Sequence, residues 1–403
     1  MSWQSLLSHN IFDFIRTHEK DDVKSLALKK PPDPDWDYKL ILDQIKSRQK
    51  AALKIPLWVE HQSDIILPSS DLLEQASSSA TAMYKASIIK ADNFVDLTGG
   101  CGVDSWALSK YASHGYCIEK DKTVAELLAH NLPLVSSSLI ETLNTHAEDF
   151  IKTMGKTQLA LIDPQRRDAY QKGKFRLEEC RPNILALLPG LLKKAEIVMI
   201  KTSPMLDITE GIRNLEDSGA YVQAVHCVEW NGECKELLFL ASKNSQPPAT
   251  ITAIRLNHEG KVLHRLSFLQ KEEETLKPSY SDPLNYIYEP SPAFQKSGGF
   301  STIAQEYNLQ KLAPQTHLYT SEFLEENFPG RFFKIIGQYQ AKADKIPLKQ
   351  AHITVRNFPM KAPELRKKLK LKDGGQDYLF ACTLKNSEKI LLHARKTASS
   401  EHL

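Results

Sequence analysis

Three short stretches hold residues whose types and spacing could do chemistry: FVDLTGGCGVD (94–104), LALIDPQRRDAY (159–170) and KTSPMLD (201–207). In the first, an apolar strand ends in Asp96 and runs into Thr98, Gly99, Gly100, Cys101 and Gly102. Glycines directly after a strand let the chain turn tightly and let a ligand lie against the backbone. The spacing is G-G-C-G and not the G-x-G-x-x-G of dinucleotide sites, and Ser105 stands where the third glycine, counted from Gly100, would be. Asp96 adds a negative charge at the turn, which suits a cationic ligand better than a pyrophosphate. A second carboxylate, Glu119 of YCIEKD, closes the next strand, where an acid accepts hydrogen bonds from ribose hydroxyls. A ligand that combines ribose hydroxyls with a positively charged amino acid moiety is S-adenosylmethionine (SAM). The same residues also allow a plain left-handed turn and strand-end acids that cap helices.

The other two stretches supply an acceptor side. A strand ending in Asp163-Pro164 puts a carboxylate and a rigid carbonyl at the carboxyl edge of a sheet, where open α/β sheets bind substrates. Arg166 and Arg167 could clamp a phosphate or carboxylate bidentately, or pair on the surface with Asp168, Glu178 or Glu179. Lys201, Ser203 and Pro204 end another strand and should line the same crevice, whereas Glu233 and Lys235 read as a hairpin salt bridge. Such groups support in-line displacement, with alignment and desolvation as the main contributions. Asp163 would orient the acceptor atom or take its proton, and no protein nucleophile is needed.

The elements that must hold these residues follow from periodicity. Residues 1 to about 90 read as helices, with SSDLLEQASSSATAMYKASII starting at Ser70 and Asp71. From residue 92, strands and helices alternate through NFVDLTG, HGYCIEK, LIETLNTHA, QLALIDP and AEIVMIKTSP. Alternation of this kind predicts a parallel, doubly wound sheet. AYVQAVHCVEW and ECKELLFLAS, joined at Asn231 and Gly232, require an antiparallel addition at an edge. The charged and then Pro/Ser-rich run KEEETLKPSYSDP (271–283) predicts a boundary, beyond which the chain turns aromatic and basic.

At 403 residues, 41% apolar and 25% charged with a net charge of +3, the chain should fold as two or three globular domains, and its charge does not demand nucleic acid. No apolar run reaches membrane-spanning length and no signal peptide is apparent, so a soluble, cytoplasmic protein is expected. Cysteines 101, 117, 180, 227, 234 and 382 lack ligand spacing, so reduced thiols and no metal site are expected.

DLTGGCG resembles the first motif of class I methyltransferases. That resemblance implies Asp96, Gly99 and Gly102 around the methionine portion, Glu119 on the ribose, and Asp149 of THAEDF beside the adenine amine, with Glu148 its rival. In relatives that methylate exocyclic amines of bases, Asp-Pro-Pro precedes an aromatic residue; Gln165 and Arg166 depart from this pattern, leaving no stacking platform at that place. EQASSSATAMYKA, DPQRRD and KTSPMLD, with YEPSPAFQKSGGF, HLYTSEFLEENFPGRFF and AHITVRNFPMKAPELRKKLKLKDGGQDYLFAC, together resemble a bacterial class I SAM-dependent methyltransferase family with ferredoxin-like and C-terminal THUMP-like domains. The resemblance implies an N-terminal helical region (1–90), a Rossmann-like methyltransferase domain (91–275), and small α+β domains at 276–340 and 341–403. THUMP domains proper bind RNA, so a transfer or ribosomal RNA acceptor is implied. Lys361, Arg366, Lys367, Lys368, Lys370 and Lys372, with Phe332, Phe333 and Phe358 flanking, suit RNA by phosphate neutralisation and stacking, or form a solvated lysine face over core aromatics. A protein or small-molecule methyltransferase, a non-catalytic RNA-binding protein and, last, a dinucleotide oxidoreductase are the alternatives.

Overall fold

The computed structural model describes residues 3–60, 64–166, 176–244, 248–340 and 346–397. The chain divides into two compact units. Unit 1 comprises residues 1–225, 236–247 and 256–262; unit 2 comprises 226–235, 248–255 and everything from 263 onward.

Unit 1 opens with helices α1 (His9–Thr17), α2 (Val23–Ala27), α3 (Tyr38–Lys54), α4 (Pro56–Glu60), α5 (Ser70–Gln75) and α6 (Ser79–Ile88). The run of small polar residues breaks what periodicity predicts as one helix into two. Ser69, not Ser70, caps α5 by accepting from the Leu72 amide, and Ser78 caps α6 by accepting from Thr81. A serine side chain satisfies an orphan amide at each start, so the chain can restart within three residues. Ile11, Ile15, Leu26, Ile41 and Ile45 form one helical core. Ala51, Ile55, Trp58, Leu73 and Ala82 instead share a core with Phe94, Trp106 and Leu159, so α3 to α6 pack on the sheet that follows.

That sheet contains β1 (Asn93–Asp96), β2 (His114–Glu119), β3 (Leu139–Asn144) and β4 (Thr157–Ile162), all parallel. Helices α7 (Val103–Leu108), α8 (Lys122–Val135) and α9 (Ala147–Thr153) make the crossovers. A two-residue antiparallel ladder of β5 (Gln165–Arg166) and β6 (Cys180–Arg181) precedes α10 (Ile184–Leu191), β7 (Ala195–Thr202), α11 (Ile208–Asp217), β8 (Tyr221–Trp230) and β9 (Glu233–Ser242). Within unit 1 the order is β8-β9-β7-β4-β1-β2-β3, with β9 antiparallel against β7. This is the expected doubly wound sheet with an antiparallel edge. β4 is buried almost throughout, which its continuous LALI requires of a central parallel strand.

β8, β9, β10 (Thr250–Leu256) and β11 (Val262–Leu269) each run from one unit into the other. Unit 2 adds α12 (Gln270–Thr275), β12 (Tyr286–Pro290), α13 (Pro292–Ser297), α14 (Phe300–Glu306), β13 (Gln310–Lys311), β14 (Tyr319–Ser321), β15 (Gly330–Gln340), β16 (His352–Arg356), α15 (Ala362–Leu369), β17 (Asp377–Thr383) and β18 (Lys389–Lys396). Its seven-stranded sheet runs β13-β14-β12-β15-β18-β17-β16 and is antiparallel except for β16 beside β17. Ile287, Phe333, Phe380 and Leu392 fill one part of its core, and Leu365, Leu379 and Leu391 another. The charged run 271–283 is not free of structure. Glu273 accepts from the Ser301 and Thr302 amides at 2.6 and 2.8 Å, satisfying the first turn of α14.

Candidate functional site

A cavity of about 360 Å³ opens in unit 1 at the carboxyl ends of β1, β2 and β4. The loop after β1 forms its floor. Gly99 sits where a Cβ would lie 2.6 Å from Cys117 Sγ and 3.2 Å from the Ile118 carbonyl, so only glycine lets the loop lie on β2. Gly102 has φ +77° and starts α7, and a Cβ there would meet Leu128 at 2.6 Å. Glu119, at the end of β2, accepts from the Gly100 amide at 2.9 Å and from the Asp121 amide at 2.8 Å. A carboxylate has about four lone-pair sites, so Glu119 fixes the loop and retains acceptor capacity toward the cavity it lines.

Asp96 is placed differently from expectation. Its side chain is 1% exposed and turns beneath the loop, accepting from Ser105 Oγ at 2.7 Å and the Thr98 amide at 3.0 Å. Burial, reinforced by the charge of Asp104, pushes its carboxyl up to about 7 against the pull of those two hydrogen bonds. Asp104, in the first turn of α7, is the acid that reaches the wall instead.

Behind Asp104 stands a buried ionic cluster that residue spacing does not announce. Lys85 of α6, 1% exposed, donates to both Glu236 oxygens at 2.7 and 2.8 Å, to Ser77 Oγ at 3.0 Å, and lies 3.2 Å from Asp104. Ser77 in turn donates to Asp104 at 2.8 Å. Burial raises the Glu236 carboxyl, and Lys85 and Lys201 pull it back. Lys201, at the end of β7, is ion-paired to Asp163. Burial alone would lower the Lys201 ammonium, but Asp163, Asp104 and Glu236 together hold it above the ordinary lysine range.

Asp163 lines the cavity, and its amide donates to Thr98 Oγ1 at 2.8 Å, so the ends of β1 and β4 are tied together. Pro164 is buried beside it. Ser203 lies off the cavity wall and accepts from the Met205 amide within its own turn. Asp149 also points away, ion-paired to Lys152 at 2.8 Å with 62% of its side chain exposed, while Glu148 lines the cavity. Successive residues of a helix are about 100° apart, so only one of the two acids in the first turn of α9 can face inward. Arg166 is described only in the backbone of β5, and Arg167 lies outside the described residues. A different arginine, Arg181 of β6, contributes to the wall. Glu233 and Lys235 pair with each other, as a hairpin salt bridge would.

Cys101 lines the cavity, but burial pushes its thiol up to about 12, which leaves no thiolate for nucleophilic work. Among the described residues no His/Cys/Asp/Glu group is arranged to hold a metal ion, and no helix is long and apolar enough to cross a membrane. In unit 2, α15 carries Arg366, Lys367 and Lys368, with Arg366 bonded to Asp373 at 2.7 Å. Phe332 and Phe333 are buried, and Phe358 packs on the core under α15. Phe332 and Phe333 therefore serve the core, while Phe358 is only partly buried.

Comparison with known proteins adds three matched regions. Residues 61–227 match the family described as conserved hypothetical protein 95, residues 286–329 a ferredoxin-like domain, and residues 330–396 a THUMP domain-like family. No curated protein matches the chain. Two solved proteins described as "putative methyltransferase" are similar. That of Porphyromonas gingivalis W83 is 30% identical over 98% of this chain and 99% of its own, with a TM-score of 0.85. That of Streptococcus mutans, in complex with SAH, is 12% identical over 39% of this chain and 94% of its own, with a TM-score of 0.29. The tRNA m1G37 methyltransferase of M. jannaschii is 17% identical over 44% and 51%, with a TM-score of 0.30.

Proposed function

The chain belongs to a family of class I SAM-dependent methyltransferases with ferredoxin-like and THUMP-like domains, and from that premise we propose that it binds SAM in the unit 1 cavity and methylates an RNA. The observation that carries the reading is the glycine loop with Glu119 bonded to its Gly100 amide at the cavity floor. The residues fit the cofactor. The backbone at Gly99 and Gly100 gives a ligand close approach, with Gly102 letting the loop turn into α7, Thr98 and Glu119 offer acceptors for hydroxyls, and Asp104 on the wall favours a cation nearby. Glu148, in place of Asp149, is the acid for the adenine side. When bound, SAM supplies a methyl group on a cationic sulfur.

The chain's own groups then align the acceptor. Asp163 and the Pro164 carbonyl accept hydrogen bonds from the acceptor atom, and Lys201 fixes the rotamer of Asp163. Lys201 stays protonated beside it, and Asp163 is the group placed to take the acceptor proton during transfer. Arg181, with Arg166 and Arg167 nearby in sequence, supplies cations for a phosphate. The RNA acceptor rests on the THUMP-like region and the lysine-rich face of α15. We assign residues 1–90, 91–275, 276–340 and 341–403 as the helical, catalytic, ferredoxin-like and THUMP-like parts.

The test is transfer of labelled methyl from SAM by the purified protein into total RNA, beside total protein, from a strain lacking the enzyme. Label is expected in RNA. Label in protein alone, or in neither fraction, rejects the acceptor.

A further inference from the structure

Unit 2 holds a second cavity, of about 430 Å³. Four cationic side chains reach it, Arg255, Arg331, Arg356 and Lys396, against two carboxylates, Glu229 and Glu289. Both carboxylates are buried, at 2% and 3% exposure. Glu289 accepts from Arg331 Nε at 2.9 Å on one oxygen and from Arg356 Nη2 at 2.6 Å on the other, so two guanidinium groups converge on one carboxylate. Glu229 is occupied from its own side by Ser291 Oγ at 2.5 Å and the Ala293 amide at 3.1 Å, with Arg255 Nε at 3.6 Å. Lys396 pairs with no carboxylate among the described residues, and Arg356 Nε is buried there without a hydrogen-bond partner.

Arginine–glutamate pairs that merely staple a sheet need one cation per carboxylate and no space between them. Here the cations outnumber the acids, and they surround a cavity within the size range of small-ligand pockets. We propose that this cavity is a binding site for a phosphate-bearing ligand of nucleotide size, its phosphate held by Arg331, Arg356 and Lys396. The buried glutamates fix the guanidinium forks before the ligand arrives, which reduces the ordering cost of binding. Phe332 and Phe333 line the cavity but are almost wholly buried, so recognition is assigned to charge and not to stacking. A free nucleotide and an RNA phosphate present the same group. The site stands independently of the acceptor assigned above.

The full-length protein is titrated with inorganic pyrophosphate and cytidine monophosphate by calorimetry, and with a labelled single-stranded RNA by anisotropy at low salt. Lys396→Gln removes a charge without unpairing any carboxylate, Arg331→Gln removes one fork, and Lys396→Arg keeps the charge. Each Gln variant is expected to weaken binding about tenfold or more, with Lys396→Arg close to wild type and S-adenosylhomocysteine binding unchanged as the check on folding. Small phosphates weakened by the Gln variants identify a free nucleotide as the source; weakening confined to RNA identifies an RNA phosphate. Absence of saturable binding by every probe, or equal binding by wild type and both Gln variants, overturns the proposal.

Discussion

In the proposed reaction Asp163 is the residue assigned to the acceptor, because it lines the cavity and is ion-paired to Lys201. Asp163→Asn keeps the shape and removes the proton acceptor. Methyl transfer in single-turnover assays should fall by about 10²- to 10⁴-fold, with S-adenosylhomocysteine binding retained; equal loss of both would make the residue structural. Asp96 sets a pH dependence of opposite sense to an ordinary surface aspartate. Its folded carboxyl is raised to about 7 from a reference of 3.8. Between those values the folded protein holds a proton that the unfolded chain has released, so stability falls as pH rises and levels off above about 7. Asp96→Asn cannot ionise, so its stability relative to wild type should grow between pH 4 and 7 by about 3 to 5 kcal/mol. Urea melts of the two proteins without cofactor, at pH 4 and pH 7, give that difference directly, and parallel curves would refute it. Glu119 and Asp163 were legible because each closes an apolar strand before a turn. The choice between Glu148 and Asp149 was not, since a motif cannot fix the phase of a helix to one residue.

At the scale of elements, α6 is joined to β9 by Lys85 and Glu236, 151 positions apart. Removing the cation leaves Glu236 and Asp104 facing each other in a buried site. Lys85→Met should destabilise unit 1 by about 3 to 5 kcal/mol, measured by thermal or urea unfolding; a loss below about 1 kcal/mol would mean that the cluster contributes little to stability. The strand and helix alternation that builds the sheet was readable from periodicity, as was its antiparallel edge. This ion cluster was not, because a lysine within ATAMYKASI reads as an ordinary polar position until the fold shows what lies opposite. The split of α5 from α6 shows the same limit: SSS permits both a continuous helix and two caps, and packing of Leu73 and Ala82 into one core decides.

For the whole molecule, the chain path is interleaved. Unit 2 takes residues 226–235 and 248–255 from the middle of the chain, well before the compositional boundary at 271–283. Pro247 and Pro248 mark the second of these crossings, but nothing in the run VQAVHCVEW marks the first, which falls inside β8. A chain ended after residue 275 therefore lacks Ser291 and Ala293, the donors to buried Glu229. It should be aggregated or partly unfolded by size-exclusion chromatography and should melt lower than the full-length protein; a monodisperse fragment of equal Tm would contradict this. The same path bears on synthesis at the ribosome. The tips of β8 and β9 emerge long before β18, with which unit 2's sheet is completed. At about 5 to 20 residues per second the intervening stretch takes on the order of ten seconds to appear. Through that interval unit 2 is incomplete, with its earliest residues, 226–235, already made and its last strand not.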